Sequence, residues 1–220
     1  MLRKEIMEVR DRIQQKAEEL FRRYGTRSIT MDEIASQLGV SKKTIYQFFA
    51  DKDELVLAVM TQIIDNSQDK CAAYPSKAKN AVHELFLIME MMKELFKNMN
   101  PSILYDIERS HPKAFQKFLE HKNQFVYRMI KDNLARGIEE GLYRPELDQN
   151  LIARLRLETM MMSFNPQYFA NEDVNVLDVE RKLIEHFLFG ISNLKGHKLI
   201  IKYEQDRIKK EKDDQSKKVK

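Results

Sequence analysis

Lys42, Lys43, Thr44, Tyr46 and Gln47 fall within the stretch "SKKTIYQFF", residues 41 to 49, and place two ammonium groups, two hydroxyls and an amide side by side. These groups suit nucleic acid. Lysine donates to guanine O6 and N7, glutamine pairs with adenine through two hydrogen bonds, and the hydroxyls of Tyr and Thr bond phosphate. On a helix advancing about 100° per residue, Ile45, Phe48 and Phe49 gather with Ser41 on one side, while Lys43 and Gln47 fall opposite them. Lys42 and Tyr46 flank that outer surface on one edge and Thr44 on the other. Aromatic residues at helical spacing usually belong to a core, and Tyr46 is the one that sits away from the apolar centre.

A two-turn helix has to be held in place by others. A first helix is predicted up to Tyr24, with Val9, Ile13, Ala17, Leu20 and Phe21 on one face and Gly25 as its left-handed stop. Thr30 and Glu33 form a T-x-x-E capping box for a second helix that runs to about Leu38, where Gly39 ends it. Ile34, Ala35 and Leu38 give that helix an apolar stripe, and Ala35 is small enough for a close crossing. Ser41 caps the third helix, and Asp51 with Glu54 opens a fourth from Lys52 to about Lys70. Helix, glycine turn and helix make a helix-turn-helix arrangement.

The run "SITMDEIASQLGVSKKTIYQFFADKDEL", with the helix before it, resembles the TetR family of bacterial transcription regulators. The shared pattern is T-x-x-x-I-A, then G-V-S, then T-I-Y-x-x-F and K-x-x-L; "LYDIERSHPKAFQKFLEHK" and "GIEEGLYRPELDQNLIA" are similar to later parts of the family more weakly. The resemblance implies that Thr30 and Ser41 cap helices facing phosphates and that Tyr46 and Lys52 bind the DNA backbone. Lys42, Lys43, Thr44 and Gln47 would approach base edges. Lys43 departs from the pattern, because that position is often a small residue, and the lysine leaves the operator sequence open.

The rest of the chain reads as amphipathic helices. Of 220 residues, 43% are hydrophobic and 33% charged, with six Gly and five Pro, which favours an all-α protein. Helices are expected over about Lys77–Asn98, from Pro101 to Ser110, and from Ala114 to about Gly141. Two more follow, over about Gln149–Phe164 and Val176–Leu194. These last two carry Leu151, Ile152, Leu155, Met160, Met161 and Phe164, and Leu183, Ile184, Phe187, Leu188, Ile191 and Leu194, more apolar surface than one neighbour covers. They form a dimer face or close the monomer's core. The mixed-charge run from about Lys202 is expected to be a solvated or disordered tail, with a nucleic-acid arm as the alternative.

The expected architecture is an N-terminal helix-turn-helix domain over 1–55, a larger helical ligand-binding and dimerisation domain over 56–200, and a charged tail over 201–220. The methionine-rich stretches at 88–92 and 158–164 fill a core or line a pocket for apolar compounds. The family resemblance raises the pocket reading, and the expected walls are Phe86, Met89, Met92, Leu104, Phe118, Phe125, Met129 and Met161.

A net charge of +4 permits an anionic partner without requiring one. Cys71 is the single cysteine, which excludes an intrachain disulfide and fits a reducing compartment. The five histidines show no metal-ligand spacing, and no phosphate loop or nucleophile motif points to an enzyme, so neither cofactor nor metal is expected. The charged N-terminus and the lack of a long apolar segment predict a cytoplasmic protein without a membrane partner. The expectation is a homodimeric repressor of a palindromic DNA operator, released by a small apolar or amphipathic ligand that moves the fourth helix. A helical scaffold that binds only protein is the alternative, and it leaves the outward Lys-Lys-Tyr-Gln set unexplained.

Overall fold

The computed structural model describes residues 2–97, 99–100, 102–165 and 175–218. Twelve α-helices are present among them, without a β-strand; an isolated bridge joins Tyr143 and Ser192.

Helix α1, Leu2–Tyr24, buries Ile13, Ala17, Leu20 and Phe21, and Gly25 ends it at φ +81. Helix α2, Met31–Leu38, begins with the expected capping box: Glu33 N–H donates to Thr30 Oγ1 at 3.2 Å, and Thr30 N–H to Glu33 Oε2 at 2.7 Å. Helix α3 is short, Lys42–Tyr46, and helix α4 runs from Lys52 to Ala72. At the start of α4, Asp51 Oδ1 accepts from Glu54 N–H (2.7 Å), but the Glu54 carboxylate reaches Ala50 N–H (2.6 Å), one residue earlier than a capping box places it.

"AAYPSKAK" is not a plain break: Pro75 helps start one helical turn, α5, Tyr74–Lys77. Ala78 is extended, so α6 waits for Asn80 as its cap and spans Ala81–Leu95. Helices α7, Ile103–Ser110, and α8, Pro112–Glu120, meet at His111. The expected single long helix is interrupted by a π-helical segment, His121–Val126, before α9, Tyr127–Glu139. Helices α10, Gln149–Met162, and α11, Val176–Ile191, are capped by Asp148 and Asn175. Most of the polar connection between these two, and Pro101, lie outside the described residues.

The charged run near the C-terminus is a correction to the sequence reading, because it forms helix α12, Leu194–Lys218. Its inner side is anchored: Ile200 is fully buried, and the Tyr203 hydroxyl accepts from Asn80 Nδ2 at 2.9 Å. Its charges pair along and across helices, Arg207 with Glu204 and Glu211, and Lys93 of α6 with Glu211. Mixed charge at three- and four-residue spacing supports a helix once one side is packed.

Two apolar cores result. The first joins α1–α4 through Phe21, Ile34, Ile45, Phe49, Leu55 and Val59, continues to Ile64 on α4, and includes Ile107 of α7 and Ala114 of α8. The second joins α6 and α9–α12 through Val82, Met89, Leu134, Tyr143, Leu188 and Ile200. Inside the second, Tyr143 donates to Asn133 Oδ1 at 3.1 Å, and Asn133 Nδ2 donates to the Ala81 carbonyl at 3.0 Å. A buried ion pair, Arg156–Glu180 at 2.7 Å, ties α10 to α11, and Ser163 Oγ adds a hydrogen bond to Glu180 at 3.1 Å.

Candidate nucleic-acid interface and apolar cavity

The third helix is seated by apolar side chains on one side. Ile45 and Phe49 are fully buried and Phe48 is half-buried. Although α3 ends at Tyr46, Phe49 N–H still donates to the Ile45 carbonyl at 3.1 Å, so the helical spacing carries through Gln47 to Phe49. Lys42, Lys43, Tyr46 and Gln47 are therefore exposed together. Gly39, at φ +68, makes the turn between α2 and α3, and Val40 N–H closes on the Ala35 carbonyl at 3.0 Å.

Each of the eight residues singled out from the sequence sits on or beside this surface. Ser41 Oγ accepts from Thr44 N–H at 3.0 Å and lies 2.8 Å from Thr44 Oγ1, which leaves Thr44 half-buried. Thr30, at the head of α2, is exposed. Lys42 Nζ is held by Asp32 Oδ2 of α2 at 2.7 Å, and that hydrogen bond raises its ammonium above the ordinary lysine value. Lys52 is half-buried at the start of α4; burial pulls its ammonium down, opposed by the carboxylates of Asp53, Glu33 and Asp106. Lys43 and Gln47 have open, outward positions.

A second feature lies between the two cores. A cavity of about 220 Å³ is bounded by α1 and α4 on one side and by α6–α10 with the π-helical segment on the other. Of the residues expected on its wall, Met92, Leu104, Phe118, Phe125 and Met129 line it. Phe86, Met89 and Met161 do not. On α6 the cavity is faced by Ile88, Met91, Met92 and Leu95, so Phe86 and Met89 turn the other way, where Phe86 packs on the Tyr203 ring of α12. On α10 it is Met160, not Met161, that faces inward. His121 and Lys122 of the π-helical segment also line the wall; Gln68 Nε2 lies 3.0 Å from His121 Nδ1, and Lys122 Nζ lies 3.1 Å from Glu158 Oε1. Burial lowers the His121 imidazole and raises the Cys71 thiol on the same wall.

Residues 13–59, which span this helix-turn-helix, match the family model described as bacterial regulatory proteins, tetR family. The HTH-type transcriptional repressor KstR2 of Mycobacterium tuberculosis is 26% identical over 147 residues, 66% of this chain and 74% of the relative. The match places a TetR-type helix-turn-helix within residues 13–59, and the relative of similar sequence is itself a transcriptional repressor. The solved structure of the ketosteroid transcriptional regulator KstR2 from the same organism shares the fold, with a TM-score of 0.60 at 23% identity over 84% of this chain and 95% of that one. So does Thermus thermophilus FadR, a repressor solved with lauroyl-CoA, with a TM-score of 0.54 at 19% identity over 81% and 93% of the two chains.

The match and the names of the relatives support a DNA-binding transcription regulator with its helix-turn-helix within residues 13–59. Sequence reasoning missed Asp32 as the partner of Lys42, because ten residues and a turn separate them. It also missed the contribution of α1 and the turn after it to the cavity, where Phe21 and Arg22, then Thr26, stand on the wall. The period of α1 marks Phe21 as inward, but nothing in its pattern says that a cavity begins there.

The apolar surface of α10 and α11 divides. Ile184, Leu188 and Ile191 of α11 are buried within the chain, whereas Leu151 and Leu155 of α10 are 62% and 55% exposed. Leu183 and Phe187 of α11 are half-buried. Leu194, expected to end α11, opens α12 and stands exposed.

Proposed function

We propose that the chain is a cytoplasmic homodimeric repressor that leaves its operator when a small apolar or amphipathic compound fills the cavity. In this reading residues 1–55 are the DNA-reading domain, 56–200 hold the ligand and the dimer face, and 201–220 are a charged extension. Lys42, Lys43, Thr44 and Gln47 approach base edges in the major groove, and Thr30, Ser41, Tyr46 and Lys52 hold phosphates.

The observation that carries the proposal is the place of the cavity: its wall includes Val56, Val59, Met60, Ile63 and Ile64 of α4, the helix that opens at Lys52, five residues after Gln47. A molecule that fills this space presses on α4. Paired helix-turn-helix units read half-sites about 34–36 Å apart, so a small rotation of each α4 spoils simultaneous contact and lowers avidity. Leu151 and Leu155, left uncovered on α10 beside Leu183 and Phe187 of α11, supply the apolar surface for a two-fold partner. The names of the related proteins fit apolar effectors, one being a ketosteroid regulator and another binding lauroyl-CoA.

Selection of bound fragments from the organism's own genome tests this reading. Enrichment of a few palindromic sites, lost on adding apolar extract, is the expected result. Failure to enrich any site, or a monomeric mass at micromolar concentration, overturns it.

A further inference from the structure

The wall of the cavity is largely apolar, so its few polar groups decide what it accepts. Glu18 and Arg22, of opposite charge, stand one helical turn apart on α1, both half-buried. Lys122 is buried, and its ammonium is committed to Glu158. His121 is driven toward its neutral form by burial. Counted with Glu158, the Glu18, Arg22 and Lys122 charges sum to zero, so the wall offers no net positive charge to an ionised acid head, and a buried carboxylate without a counter-charge is strongly disfavoured.

Two hydroxyls remain on the wall, and that of Ser67 is engaged with the Cys71 thiol. Thr26, just past the end of α1, is 1% exposed, lines the cavity, and has an Oγ1 with no hydrogen-bond partner. Gln62, Arg156, Ser192 and Arg207 also carry an unpartnered buried atom, but none of them lines this wall. A buried hydroxyl left without a partner is uncommon and costly, and a ligand oxygen that reaches it recovers that cost.

We infer that the effector is an uncharged amphipath: its hydroxyl or carbonyl oxygen bonds Thr26 Oγ1, while its hydrocarbon body lies along Met92, Phe118, Phe125 and Met129. This rests on the cavity being the effector site. The contact places the ligand's polar end at the turn that follows α1, inside the reading unit. The end of α1 is fastened to the segment before α7, since Asn100 N–H donates to the Arg22 carbonyl at 2.7 Å. Gly25 also lies so close that an added Cβ would stand 2.8 Å from Asp106 Oδ2. A ligand drawn to Thr26 therefore acts on this joint as well as on α4.

The test uses the intact protein and the neutral fluorophore N-phenyl-1-naphthylamine, displaced by 1-decanol or by ionised decanoate, with Thr26→Val and Thr26→Ser beside the wild type. Decanol should displace the dye from the wild type more effectively than decanoate does. Thr26→Val, of nearly the same shape, should weaken decanol by about three- to tenfold and leave the dye's own affinity unchanged, and Thr26→Ser should restore it. If the dye binds but decanoate competes as well as decanol, or Thr26→Val leaves decanol unaffected, the inference is overturned while the cavity reading stands. If the dye does not bind the wild type at all, both fall. Should Thr26→Val fail to fold, the wild-type order of decanol and decanoate still decides the point about charge.

Discussion

Asp53 Oδ1 lies 2.6 Å from His111 Nδ1, so the first turn of α4 is tied to the corner where α7 ends and α8 begins. His111 is 5% exposed and Asp53 is open to solvent, so the contact is half in water. It stands next to Lys52, and it connects the helix that follows the reading surface to two helices that wall the cavity.

Removing this tie should loosen the start of α4. Asp53→Ala and His111→Ala are expected to lower stability by about 0.5–1.5 kcal/mol each, and by less than the sum when combined. Urea unfolding of the two single variants and the double variant measures the coupling. Strict additivity would mean that the contact carries no energy.

On the DNA side, Lys43→Ala and Gln47→Ala should each cost about 1–3 kcal/mol on the operator and relax its sequence preference. Tyr46→Phe and Lys52→Ala should weaken all sequences alike and flatten the dependence on salt. Titrations on operator variants at several salt concentrations separate the two classes, and a uniform loss for Lys43→Ala would count against base reading.

If Lys42 contacts DNA as proposed, Asp32 competes for its ammonium, since the carboxylate holds that group at 2.7 Å. Asp32→Asn should strengthen binding to operator and random DNA together and steepen the salt dependence by about one phosphate contact. An unchanged slope would show that Lys42 does not reach phosphate or base.

The acid side of the stability profile is set in part by His121. Burial holds its imidazole below the ordinary value of 6.5, so the unfolded chain takes up this proton first. Stability is then full above that value and falls as the pH drops through it toward the lower folded value. His121→Asn should flatten this slope in chemical denaturation, and an identical slope would remove His121 from the account.

Gly137 is required for packing, because any Cβ there would overlap the fully buried Tyr143 ring. Gly137→Ala should cost about 1–3 kcal/mol although alanine favours helix, and it should also weaken the Asn133 and Ala81 hydrogen bonds behind the ring. A melting temperature equal to wild type would show that the ring has room to move.

By itself the sequence determined the local elements around the reading surface. Thr30, Gly39, Ser41 and the spacing of Ile45 and Phe49 act within a turn or two of chain, so α2, the turn and α3 could be placed without tertiary knowledge. The all-α class and most helix boundaries followed from the same short-range rules. Tertiary structure decided the rest. It joined Asp32 to Lys42 and Asp53 to His111, put Met92 on the cavity but not Met89 three residues before it, and packed Ile200 and Tyr203 of the helical C-terminal run. Such outcomes depend on which helix lies opposite which, and helical period fixes an inward face without naming its neighbour.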